Sequence, residues 1–323
     1  FFSDEINILD KTVRNVIIVN DHANVTGGAA EVAISSVLSL LDRGVGVGFV
    51  SAIGSLDRRI DVNRVQTLLL DKEELIKDPN RLRASIQGLW DSNVAKQINF
   101  YLKSYDPKYT IVHLHTWTKG LSPSVVSAIL KSGFKLVCTL HDYFTVCPNG
   151  GLYDYNFQSP CSLTPMSPSC LIRDCDSRSF YHKAWRVGRQ LIQKYLANMP
   201  SKEINFICVS DFSGKIINEH LPASSRMFFV NNPVNVKKMP PADPGGNHEF
   251  TYVGRMTAEK GVTLFAEAAA RINLKARFVG SGSLEGKVKS IFPQALFSGW
   301  LKKNEVSHLI RSSRALVLPS LWY

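Results

Sequence analysis

Two cations flank a short loop in VGRMTAEKG (253–261). Arg255 follows an apolar run that ends in glycine, and Lys260 precedes an amphipathic stretch. An arginine offers a fork of donors and a lysine a compact charge, so the two together can clamp a diphosphate. Two solvated loop cations are the plain alternative. VGSGSL (279–284) repeats the strand–glycine–helix device with Gly280, Ser281 and Gly282, and TGGAAE (26–31) places Gly27 and Gly28 in the same way after an earlier apolar run. Glycine lets a backbone approach a ligand closely, and the free N–H groups that open a helix favour phosphate. The Gly27–Gly28 pair lacks the full G-x-G-x-x-G spacing and fits an ordinary tight turn equally well. His115 and His141 each close an apolar run, which puts them at adjacent strand ends, where structural and catalytic roles are both open. His113, two positions before His115, is expected on the opposite face of their strand.

Cys147, Cys161, Cys170 and Cys175 lie in one loop, with thirteen, eight and four residues between them. Four thiolates could hold a structural zinc, but the short C-x2-C pairs that mark such sites are missing, and free thiols fit the spacing as well. The other two, Cys138 and Cys208, sit in the apolar runs KLVCTL and NFICVS and are expected in the core. Tyr143, Tyr153, Tyr155 and Phe157 of the same loop suit either sugar stacking or simple packing. The segment from Arg173 to Lys194 carries six Lys or Arg against two Asp. Its helix has Lys183, Arg186, Arg189 and Lys194 beside Trp185, Leu191 and Ile192, a pattern that fits docking on an anionic membrane or an ordinary solvated face.

These residues need elements to position them. Short apolar runs alternate with amphipathic stretches along the chain. Strands are expected at NVIIV (15–19), VGVGFV (45–50), TIVHLH (110–115), KLVCTL (135–140), NFICVS (205–210) and MFFV (227–230). Helices are expected over 29–41, 81–103, 122–131, 179–198 and 211–220, with Asp211 as an N-cap. Residues 53–78 yield no clear order. Strand–helix alternation implies crossover units and a mostly parallel sheet. The loop 141–178 is too long for a simple connection. Three prolines and two glycines in 234–249 mark a domain linker, after which the alternation restarts with four further strands. The expected fold class is therefore α/β with two Rossmann-like domains. The first is 1–236, with the Cys-rich insertion at about 141–178. The second is 237–323 and partial, because the chain stops directly after a strand and the natural protein is expected to be longer.

The 323 residues are 45% hydrophobic and 20% charged, with a formal net charge of +11. The basic balance favours anionic partners, although solubility alone would also explain it. No apolar run approaches the ~20 residues needed to span a bilayer, and the acidic start is not a secretory signal. The expected location is cytoplasmic, with peripheral attachment at the inner face of the membrane as a variant. No nucleic-acid motif accompanies the charge, so nucleic acid is not an expected partner.

The chain resembles glycosyltransferase family 4, retaining enzymes of the GT-B fold. The matching pieces are TGGAAEVA (26–33), IVHLHTW (111–117), TLHDYF (139–144), CVSDFS (208–213), VNNPVN (230–235), FTYVGRMTAEKGVTLFAEAA (250–269), RFVGSGSLEGKV (277–288), FSGWL (297–301) and ALVLPSLWY (315–323). The resemblance implies two domains facing a cleft, 1–236 on the acceptor side and 237–323 a partial donor-binding domain, and transfer of a hexosyl group from a nucleotide sugar to a glycan or lipid-linked acceptor, as in surface polysaccharide synthesis. It implies that Arg255, Lys260 and the backbone at Gly27–Gly28 bind the donor diphosphate, and that His115 lies against the donor sugar as the catalytic residue. The nucleoside would sit against Gly280, Ser281, Gly282 and the Gly299–Leu301 segment, and Ser320 would be the serine of the P-S motif. His141, Asp142 and Tyr143 would lie on the acceptor side, in a subgroup that carries similar cysteines. No metal or other cofactor is required in such enzymes. The family also carries two glutamates, eight positions apart, shortly after its P-S motif, and the sequence stops at Tyr323 before the first of them. The alternatives are a sugar-nucleotide epimerase on the same twin-domain fold and a truncated remnant that only binds nucleotide or a partner.

Overall fold

The structure is a computed structural model that describes residues 13–234 and 239–322. The expected boundary at 236/237 lies outside the described residues. The chain forms two compact units. The first comprises the described residues up to Gly150 together with Leu163–Arg173 and Phe180–Val234. The second comprises Gly151–Ser162, Asp174–Ser179 and the described residues from Met239 onward. Two pieces of the insertion, which the sequence reading assigned to the first domain, thus group with the second.

The first unit begins with strand β1 (Asn15–His22), helix α1 (Gly28–Asp42), β2 (Gly46–Ile53) and β3 (Val65–Lys72). It continues with α2 (Arg81–Leu89), α3 (Ser92–Leu102), β4 (Thr110–Leu114), α4 (Ser124–Lys131) and β5 (Lys135–Leu140). The insertion holds the two-residue strands β6 (Tyr153–Asp154) and β7 (Ser159–Pro160), which pair antiparallel within the second unit, and the short α5 (Pro168–Ile172). The first unit then resumes with α6 (Phe180–Tyr195), β8 (Ile204–Cys208), α7 (Asp211–Asn218) and β9 (Arg226–Phe229).

Its seven-stranded parallel sheet has the order β3-β2-β1-β4-β5-β8-β9. The chain builds outward from β1 in one direction and then returns to build the other side, so the order reverses between β1 and β4. In open α/β sheets, ligands collect at the carboxyl ends of strands at such a reversal. Ile18 sits level with His113 and Val19 with Leu114 in the β1–β4 ladder, and the His115 amide extends it by donating to the Val19 carbonyl at 2.9 Å. Apolar spacing explains the packing: Ala30, Ala33, Ile34 and Val37 form the buried stripe of α1, while Ile17, Ile18 and Val19 are buried in succession because the strand is covered on both faces.

The expected single helix over 81–103 is two helices. Trp90 is extended, and the Asp91 carboxylate caps α3 by accepting from the Asn93 and Val94 amides. The same side chain pairs with Lys72, and its backbone is held by Ser122 and Ser124. The missed strand, β3, is an edge strand with several exposed residues, so it lacks the continuous apolar run of its neighbours. Ser210, not Asp211, caps α7, accepting from the Ser213 amide.

The second unit contains β10 (Phe250–Val253), a 3-10 turn at Ala258–Lys260, α8 (Val262–Arg271) and β11 (Ala276–Val279). After these come α9 (Glu285–Ile291), β12 (Leu296–Gly299), α10 (Lys303–Arg311) and β13 (Ala315–Val317). Its parallel sheet runs β12-β11-β10-β13 over a core of Tyr252, Met256, Val262, Phe265, Phe278, Val288 and Phe292. No described helix is long and apolar enough to cross a membrane.

Asp91→Ala should remove a helix cap and leave the Lys72 ammonium without its partner. We expect a loss of about 2–3 kcal/mol, read as a Tm lowered by about 5–10 °C. Asp91→Asn, which keeps the cap acceptor but not the charge, should fall between the two. Equal melting of all three proteins would show that the helix break does not depend on this carboxylate.

Candidate active site

In the first unit the site is built around a buried carboxylate that the sequence reading missed. Asp21, at the end of β1, is fully buried. Its Oδ2 accepts the amides of Thr118 and Lys119 at 2.8 and 3.0 Å, and its Oδ1 those of Gly120 and Leu121, both at 2.9 Å. The loop that follows β4 is thereby wrapped around one side chain. Its carbonyls are held from the other side by Arg189 of α6, which donates to Trp117 O at 2.7 Å and Thr118 O at 3.5 Å. Burial lowers the Arg189 pKa to about 10, against the attraction of Asp21. Thr116 completes the clamp, donating to Asn20 Oδ1 and accepting the Asp21 amide. The one signal in the sequence was the polar pair Asn20–Asp21 directly after NVIIV.

His115 stands at the start of this clamped loop. Its ring centroid is 4.2 Å from that of His113 and 5.3 Å from that of His141. The expectation that His113 and His115 face opposite ways was wrong: side chains alternate along a strand, so residues two apart share a face. His115 Nδ1 lies 3.0 Å from His141 Nε2, and His113 Nε2 lies 2.7 Å from Thr139 Oγ1. Burial depresses all three imidazoles, His113 and His141 to about 4 and His115 well below its ordinary value. The neighbouring Asp142 accepts the Phe144 amide, yet burial raises its pKa to about 6. Tyr143 is buried rather than presented to solvent, as is Tyr153 in the second unit.

Gly27 and Gly28 open α1. Gly27 is extended, with φ at 171°, and a Cβ built on either glycine would meet nothing within 4 Å. The chain's own packing therefore does not require glycine at either position, and the space above this helix start is open.

The glycines of the second unit behave differently. A Cβ on Gly280 would overlap the Gly254 carbonyl, one on Gly282 the Met256 backbone, and one on Gly261 (φ 62°) the Pro319 carbonyl. These close approaches are joined by hydrogen bonds from Met256 N to Ser281 O, from Leu284 N to Met256 O and from Gly280 N to Gly299 O. The loops after β10, β11, β12 and β13 are thus locked together, which brings Arg255, Lys260, Gly280, Ser281, Gly282 and the Gly299 turn to one end of this sheet. Arg255 is largely exposed, 3.5 Å from the buried Glu259, whose carbonyl accepts the Leu321 and Trp322 amides just past Ser320. Lys260 lies 5.1 Å from the Trp322 ring centroid, and its pKa is lowered by burial and then by Arg255. Leu301 is half-buried before α10, and Ser320 is exposed.

Of the loop cysteines, Cys147 and Cys170 fall in the first unit and Cys161 and Cys175 in the second. Among the described residues no three His, Cys, Asp or Glu side chains gather as a metal site. Two of the four cations expected on a basic helix surface, Lys183 and Arg189, are buried, with Lys183 Nζ 3.7 Å from Cys170 Sγ.

Residues 247–323 match the family described as glycosyl transferases group 1. No curated protein matches the chain by sequence. A glycosyltransferase from Rickettsia africae ESF-5 superposes with a TM-score of 0.57 at 15% identity, over 95% of this chain and 73% of that one. HepE from Anabaena, solved in complex with UDP-glucose, gives 0.55 at 14%, over 95% and 74%. A mutant of S. aureus TarM, solved with fondaparinux, alpha-GlcNAc-glycerol and UDP, gives 0.57 at 10%, over 95% and 81%. The fold is that of GT-B glycosyltransferases, with Rossmann-like parallel sheets.

Two measurements test the first unit. Asp21→Asn replaces one acceptor oxygen with an amide that faces two backbone N–H groups. The expected cost is about 2–4 kcal/mol, and an unchanged Tm would refute the clamp. The second is pH dependence. An unfolded histidine takes its proton near pH 6.5, whereas His113 and His141 take theirs near pH 4. Between these values the unfolded chain binds more protons, so stability falls with falling pH. Asp142 acts oppositely, since its folded proton is kept to about pH 6 and the stability it contributes is lost as pH rises through that value. The histidines outnumber it, so Tm should drop by about 5 °C between pH 6.5 and 4. The drop should be smaller in His141→Gln.

Proposed function

We propose that the protein is a retaining, family 4-type glycosyltransferase that moves a hexosyl group from a nucleotide sugar to a glycan or lipid-linked acceptor. The observation that carries this reading is the cationic turn Arg255–Lys260, fixed at the carboxyl end of a parallel sheet inside the segment that matches glycosyl transferases group 1. In this reading Arg255 and Lys260 receive the donor diphosphate. Gly27 and Gly28 leave the start of α1 open for backbone amides to meet phosphate. The nucleoside lies against Gly280–Gly282 and Leu301, with Ser320 near the phosphates. His115 attends the sugar.

The chemistry breaks the bond from the anomeric carbon to the phosphate oxygen and forms one to the acceptor oxygen on the same face. The acceptor proton leaves with the diphosphate. Charge on the departing group falls on side-chain cations and helix amides, a preorganised electrostatic stabilisation that calls for no metal. The acceptor oxygen arrives on the His141–Tyr143 side. A nucleotide sugar and a surface-polysaccharide acceptor at the inner face of the membrane complete the proposal. UDP is the first nucleotide to test, since HepE and TarM were solved with it or its sugar.

The test is a screen of UDP-, GDP- and ADP-sugars with product analysis by mass, using protein that includes whatever its gene encodes after Tyr323. Arg255→Ala and Lys260→Ala should each lower kcat/KM by ~10²-fold or more, the scale of losing a preorganised charge contact. Near-normal turnover in both would refute the assigned roles, and isomerised donor without transfer would point instead to an epimerase.

A further inference from the structure

His115 is 2% exposed, and its Nε2 has no hydrogen-bond partner among the described residues. A buried polar atom left in this state is costly unless something outside the chain completes it. The other ring nitrogen, Nδ1, lies 3.0 Å from His141 Nε2, with the two rings 23° from parallel. On its other side His115 packs against the His113 ring, and His113 is in turn held by Thr139. Both partners of the His115–His141 pair are neutral at pH 7, because burial depresses each.

Between two neutral imidazoles, one nitrogen must donate and the other accept, and the proton on one nitrogen fixes the state of its partner across the ring. Donation from His115 Nδ1 would force both rings into the Nδ1–H form, the less favoured tautomer of a free histidine side chain. Donation from His141 Nε2 leaves both in the favoured Nε2–H form. We propose that His141 is a positioning residue that donates its Nε2–H to Nδ1 of His115 and so holds His115 as the Nε2–H tautomer, a fixed hydrogen-bond donor aimed at a substrate oxygen. The ligand chemistry is an oxygen lone pair. Its identification as a hydroxyl or ring oxygen of the donor sugar rests on the transferase reading above, whereas the tautomer does not. His115 in this state offers no lone pair to the substrate, so it steadies an oxygen rather than abstracting a proton.

The experiment uses protein labelled with 15N at its eight histidines and long-range 1H–15N correlation spectra, which report which ring nitrogen carries the proton. In the wild type, His115 should be protonated on Nε2 and bare on Nδ1. His141→Ala should move His115 toward a tautomer mixture. With the nucleotide sugar identified in the donor screen, it should also lower kcat about tenfold, less than the ~10²–10³ of losing a donor outright, with KM changed by less than about threefold. His141→Gln, whose amide N–H can stand where Nε2–H stood, should restore both readouts, which a merely structural role would not predict. A wild-type His115 protonated on Nδ1, or an unaltered spectrum in His141→Ala, overturns the proposal. An altered spectrum with unaltered turnover overturns its part in catalysis. The expected spectra in a protein that turns over no sugar nucleotide would leave the tautomer lock standing and remove the transferase reading.

Discussion

The first unit's site depends on one charge kept out of water. A carboxylate in a protein interior is tolerated only when its lone pairs are filled, because its desolvation otherwise outweighs what it gains. Asp21 meets that condition with four amides drawn from four consecutive residues, Thr118 to Leu121. The arrangement works in both directions. The loop satisfies the charge, and the charge dictates the loop, since consecutive amides can converge on one carboxylate only if the backbone turns around it. Arg189 supplies the matching constraint on the carbonyl side. His115 begins this loop and has little freedom left, a rigidity that would suit the catalytic role proposed for it.

The glycines divide by cause. Gly261, Gly280 and Gly282 are where the protein's own backbones cross too closely for a Cβ. They are part of how four loops become one rigid edge, and Arg255 and Lys260 inherit their placement from that edge. Gly27 and Gly28 meet no such crowding. A glycine that packing does not require is the more informative kind, since the protein's own contacts do not explain it. The residue type alone could not separate the two groups, because both follow a strand and open a helix.

Much of the fold was legible because buried parallel strands are continuous apolar runs, and β1, β2, β4, β5 and β8 all read that way. What was not legible had physical reasons. β3 lies at a sheet edge with many of its residues wet, so it lost the apolar signature. The α2–α3 break turns on Asp91, which caps α3 and also meets Lys72, Ser122 and Ser124 from distant parts of the chain. Helix α6 inverts the usual pattern: Lys183, Arg189, Gln190 and Gln193 face inward, while Tyr181 and Tyr195 are exposed. A rule that places cations outside fails there because loop carbonyls and a thiol receive them. The types and spacing of Arg255 and Lys260 single them out as candidates in the sequence, whereas Asp21 and Arg189 do not stand out, since one buried charge carries no motif.

The two units also differ in the charge they can offer. The second presents an exposed guanidinium at Arg255 and an ammonium at Lys260 that burial makes easier to deprotonate. The first presents imidazoles that burial keeps neutral. A positive histidine beside a sugar that develops positive charge at its anomeric carbon would oppose the reaction, while a neutral one can still donate a hydrogen bond. A dianionic leaving group, by contrast, needs full charges that do not depend on pH near neutrality. In the reading proposed above, burial of three neighbouring histidines would keep positive charge away from the anomeric carbon, and the neutralisation of phosphate would fall to the cations Arg255 and Lys260.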